Sequence, residues 1–131
     1  MPDVQERRNV ALNNAANEAV DQILRRFPFP ERMDVARFGF SYAIANEIAP
    51  TRGDDFGRTD GSNWNVGSLD PNGHLRAIVG ALYPDYDGDP YFMVETLISL
   101  GAVRLAADLA ADPSLRLADL LGADDPTATS G

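Results

Sequence analysis

Residues 6–48 hold two different hydrophobic periods, with a proline break between the helical patterns, and this restricts the fold more than anything else in the chain. Arg8, Val10 and Leu12 alternate with Asn9, Ala11 and Asn13, the period of two expected of a short strand. Asn13 and Asn14 then offer capping oxygens. Val20, Ile23, Leu24 and Phe27 follow at helical spacing along one face. Phe27-Pro28-Phe29-Pro30 stops that helix, because a residue before proline is pushed out of the α region. A second helix is predicted from Glu31 to Ile48, ended by Pro50.

Strand, helix, break and helix in this order is the plan of a ribbon-helix-helix unit, completed by pairing with a second copy. The second helix is apolar nearly all round, with Val35, Phe38, Tyr42 and Ala45 on one stripe and Phe40, Ile44 and Ile48 on another. Such a helix belongs at the centre of a domain or in an interface. A lone strand is a liability unless it is paired or covered. The expectation is therefore a homodimer whose strands pair across a two-fold axis.

Beyond Pro50 the chain changes character. Residues 51–69 are rich in glycine and short polar side chains, without periodicity, and read as a long loop of functional or mobile character. Trp64 and Val66 alternate with Asn63, Asn65 and Gly67, so a short strand or a core anchor is open there. Asp70-Pro71, Asp89-Pro90 and Asp112-Pro113 each put a capping carboxylate before a proline, the signature of a helix start. They predict helices from Pro71 to Tyr83, with Leu75, Ile78, Val79 and Leu82 inward, from Pro90 to Ala111, and from Pro113 to Leu121. Val94, Leu97, Ile98, Gly101 and Leu105 form the stripe of the longest. The whole reads as a mainly α single domain over residues 1–121, five helices with one short N-terminal strand, and a disordered acidic tail from 122 to 131.

Charge narrows the functional classes. All 11 basic residues are arginine, which reads as the coding bias of a GC-rich, actinobacterial genome. The net charge is −9, and residues 51–131 hold 13 acids against 5 arginines while residues 1–50 hold 7 against 6. So acidic a chain does not bind nucleic acid non-specifically. Any DNA contact falls to Arg7, Arg8, Asn9 and Asn13 around the strand, since ribbon proteins read the major groove from such a strand. The charge balance favours a ribbon that pairs and touches no DNA. Cysteine is absent, no apolar run is long enough to span a bilayer, and no secretory leader begins the sequence, so the expected location is cytoplasmic.

No catalytic constellation stands out. His74 is the only histidine, and no second histidine or cysteine completes a zinc site around it. Asp85, Asp87 and Asp89 echo a calcium loop, but the glycine and glutamate positions fail: Pro90 and Thr96 stand there. Gly53, Gly57 and Gly61 lack the strand and the Lys-Ser/Thr of a phosphate loop. No metal or cofactor is expected. The loop is the expected partner-contact surface, through Arg58, Asn63, Trp64 and Asn65, with Trp64 as either its anchor on the core or its interface residue.

In layout, residues 7–110 resemble small helical proteins associated with bacterial DNA sulfur-modification (phosphorothioation) systems and related anti-phage islands. The likeness is carried by Arg7-Arg8-Asn9-Val10, Phe27-Pro28-Phe29-Pro30, and Asp34-Val35-Ala36-Arg37-Phe38-Gly39-Phe40. Leu75-Arg76-Ala77-Ile78-Val79-Gly80-Ala81 and Ala102-Val103-Arg104-Leu105-Ala106 continue it. The family's usual Glu-Glu-Tyr-Ala-Asn-Gly-Gly ending is replaced by Leu97-Ile98-Ser99-Leu100-Gly101-Ala102. The resemblance implies a non-enzymatic accessory protein acting by protein–protein contact on a larger subunit of a modification or defence complex. The alternative is a ribbon-helix-helix DNA-binding regulator or antitoxin.

Overall fold

The computed structural model describes residues 9–51 and 62–116. It is mainly helical: β1 (Asn9–Ala11), α1 (Asn14–Arg26), α2 (Arg32–Ala45), β2 (Asn63–Asn65), α3 (Val66–Leu69), α4 (His74–Leu82) and α5 (Pro90–Ala111). The expected helix from Pro113 begins only as a turn at Pro113–Ser114, and from Leu117 it lies outside the described residues, as does the acidic tail.

α5 is the spine. Asp89 caps it by accepting from the Tyr91 amide, and Pro90 occupies the first helical position, where its missing N–H costs nothing. The five residues of its predicted stripe are all buried, together with Glu95, Thr96 and Ser99. α2 lies along α5 and buries Val35, Ala36, Gly39, Phe40 and Ala43. α1 packs beside both through Ala16, Ala19, Val20 and Ile23. The apolar surplus of α2 is thus largely absorbed within the chain; Phe38 and Tyr42 remain half-buried.

Arginines tie the ends of the helices. Arg26, at the end of α1, donates to the carbonyl of Leu109 in the last turn of α5 and to those of Asp112, Pro113 and Leu115 just beyond it, which ties the end of α5 to α1. Arg32 bonds Asp21, Asn17 and Ser62, joining α1, α2 and the approach to β2. The break between α1 and α2 is held by an edge-to-face contact of Phe29 on Phe38, 5.7 Å between ring centres.

Several expectations change here. The strand does not pair across a two-fold axis: β1 pairs antiparallel with β2 of its own chain, Val10 opposite Trp64. The expected loop up to Leu69 is, from Asn63, the strand β2 and the single-turn helix α3, because Val10 supplies a pairing partner and the Asn65 side chain caps the Gly67 amide. The second helix is shorter than expected, ending at Ala45. There the Ile48 amide reaches the Ala43 carbonyl and the Glu47 amide that of Ile44, a Schellman closure with Glu47 at φ 53°. α4 starts at His74 and not Pro71, since Gly73 turns left-handed at φ 71°. Asp70 still caps it, folding back to the amides of Leu75 and Arg76. Of the α4 residues expected inward only Val79 is buried; Ile78 and Leu82 are exposed, because α4 packs mainly on α5 and leaves its far side open.

Candidate partner-contact surface

The two-stranded sheet has one edge closed by α5, while the other edge has no partner among the described residues. The Leu12 amide donates to the Ser62 carbonyl at 3.0 Å, which sets the register: even-numbered residues of β1 turn their backbone toward β2. Odd-numbered residues turn away, toward α5. There the Ala11 amide donates to the Glu95 carboxylate at 2.8 Å and the Asn13 amide meets the Ser99 hydroxyl at 3.4 Å. Glu95 and Ser99 stand one helical turn apart on α5, so a buried pair of acceptors substitutes for a third strand.

The same register leaves β2 with an outward row. Asn63 and Asn65 face away from β1, both side chains are exposed, and the Asn63 backbone N–H and C=O have no partner among the described residues. Trp64 between them is half-buried and packs against the core. The indole therefore anchors β2 while leaving part of itself open at the sheet.

The remaining expected site residues fall as follows. Arg7, Arg8 and Arg58 lie outside the described residues. Asn9 is exposed on β1, whereas Asn13 is buried and spends its side-chain oxygen on the Ala16 amide at 2.8 Å, as the cap of α1. The structure thus brings Asn63, Trp64 and Asn65 together and sets Asn13 apart from any outward strand face.

Buried and half-buried acids are committed internally. Asp70 accepts from two amides and from the Tyr91 hydroxyl at 2.8 Å. Asp108 takes the Tyr42 hydroxyl and pairs with Arg104. Burial, and then the bond and charge of Asp108, push the Tyr42 phenol up to about 12. His74 is exposed on the first turn of α4. Among the described residues no group of histidine, cysteine or acid side chains has the arrangement of a metal site, and no helix is long and apolar enough to cross a membrane.

An apolar recess of about 330 Å³ lies between the ends of α2 and α4, lined by Ile44, Ile48, Pro50, Leu82 and Tyr83. Sequence reasoning missed it. Its one readable signal was the inward-looking pattern of α4, which proves to be partly an outward one.

No family model, curated protein or solved structure matches this chain.

Proposed function

We propose that this chain is a non-enzymatic accessory protein that works by protein–protein contact on a larger subunit of a bacterial DNA-modification or anti-phage defence complex. The open edge of β2 carries this reading. An edge strand with unspent N–H and C=O groups is a template for strand addition, in which main-chain bonds supply affinity and alternate side chains supply specificity. Asn63 and Asn65 flank that edge without charge, and Trp64 offers an aromatic contact beside it. The internal commitment of Asp70, Glu95 and Asp108 supports a scaffold over a catalyst. The kind of system follows from the layout likeness of residues 7–110, and fold alone would not supply it.

The competing reading is a ribbon-type DNA-binding regulator. The occupied edges of β1 count against it, since a ribbon needs that strand free to pair with a second copy.

Calorimetric titration against the purified subunits of a phosphorothioation complex tests the proposal, with Asn63→Pro as the main variant. Proline removes the outward N–H of residue 63 and none of the bonds between β1 and β2. Binding by the wild type, lost in Asn63→Pro with the melting temperature nearly unchanged, is the expected result. No binding to any subunit overturns the defence-complex assignment. Undiminished binding by Asn63→Pro overturns the edge as the contact. A shift of duplex DNA that weakens steeply with salt would favour the regulator instead.

A further inference from the structure

α1 carries a face that the fold leaves unused. Ala15, Glu18, Gln22 and Arg25 recur at spacings of three, four and three, so they form one seam along the helix, and all four are exposed. Beside this seam runs an apolar groove between α1 and α5, about 260 Å³ in volume, whose walls include Ala19, Val103 and Ala106. It continues into a smaller recess of about 140 Å³ at Ile23 and Leu109. Val103 is one of four large apolar side chains exposed among the described residues.

The charges on the seam are what give it meaning. Arg26, Arg32, Arg37 and Arg104 all bond carbonyls or acids of the chain. Glu18 and Arg25, by contrast, have no hydrogen-bond or ion-pair partner among the described residues. Two helical turns separate them, about 10.5 Å along the axis, which is too far for them to pair with each other. They therefore sit on one face as two opposite, unspent charges, placed symmetrically about the position of Asp21 and Gln22.

We infer that this face binds a second copy of the chain, with the two α1 helices antiparallel across a two-fold axis beside Gln22. A two-fold interface sets residue i against j and j against i. In the antiparallel register Glu18 meets the partner's Arg25 and Arg25 meets the partner's Glu18, so both unspent charges are satisfied at once. A parallel pairing would place like charges together. Gln22 lies beside the axis and suits it, because an amide both donates and accepts and so bonds its own copy. The low walls of the groove let the helices approach, and Val103 supplies apolar area at its margin. A foreign helix has no reason to match this charge sequence read backwards; a second copy matches it by symmetry. The surface is independent of the β2 edge, and it differs from the strand pairing that the sequence suggested.

The test is a charge swap followed by sedimentation equilibrium of the full chain across the micromolar range. Glu18→Arg and Arg25→Glu, each alone, put like charges opposite each other twice per dimer, and each is expected to weaken association by about tenfold or more. The double variant Glu18→Arg/Arg25→Glu restores opposite charges and is expected to recover the wild-type constant. Both sites are on an exposed helix face, and thermal melting checks that each of the three variants is folded. A wild type that stays monomeric throughout overturns the inference. So do single variants that associate as tightly as the wild type, which would place the contact elsewhere, and so does a folded double variant that fails to recover.

Discussion

Gly101 of α5 and Gly39 of α2 meet backbone to backbone: a Cβ on Gly101 would fall 1.8 Å from the Gly39 carbonyl oxygen. Nothing but hydrogen fits there. The two helices are drawn together at this crossing, which is how α5 buries a stripe as long as Val94 to Leu105 under α2.

The pair is not symmetric in what it tolerates, and the asymmetry is measurable. A Cβ on Gly39 would lie 3.2 Å from the Ala102 nitrogen and from the Ile98 oxygen, a tight but far milder conflict. Gly101→Ala should lower the unfolding free energy by ~3 kcal/mol or more, since rigid backbone is what it strikes. Gly39→Ala should cost roughly 1–2 kcal/mol. Urea denaturation ranks the two, and equal stability of Gly101→Ala with wild type would refute the close crossing.

Glu95 should matter through the amide that it holds. Glu95→Leu keeps the bulk but leaves the Ala11 N–H without its acceptor, at an expected cost of ~1–3 kcal/mol. Glu95→Gln retains an oxygen for that amide and should cost less. Hydrogen exchange at Ala11 provides the local readout: it should quicken in the leucine variant more than in the glutamine one.

Glu47 points the other way. It is a non-glycine residue at φ 53°, in the closure of α2, where an L side chain is strained by its own carbonyl. Glu47→Gly should therefore raise stability by ~1 kcal/mol, the reverse of the usual effect of glycine. A fall in melting temperature would show that the Glu47 side chain contributes something the backbone strain does not reveal.

Tyr42 predicts a loss of stability in alkali. Its phenol titrates near 10 in the unfolded chain and at about 12 when folded, so the contribution is complete below pH 10. Between pH 10 and 12 the unfolded chain ionises first, and stability falls as pH rises. Tyr42→Phe removes this group together with its bond to Asp108. The variant should start less stable at neutral pH and lose less between pH 10 and 12, as melting curves on either side of that window would show.

The residues of the chain alone settle its helical character and most of its boundaries. Asp89-Pro90 marks the start of α5, and the stripe from Val94 to Leu105 marks its buried side, because capping and hydrophobic period are local properties of a helix. Asn13 before α1 and the prolines after Phe27 are legible for the same reason. The alternation around Val10 reveals a strand but not its partner, since the period of two says which side chains share a face and nothing about what lies at either edge. Only the tertiary structure decides that β2 takes one edge of β1 while Glu95 and Ser99, more than 80 residues away in sequence, take the other. Nor does the sequence show that Gly101 finds Gly39, or that Ile78 and Leu82 look outward, because the burial of a helix face depends on which neighbours reach it. Those contacts join segments far apart along the chain, and no local pattern encodes the distance between them.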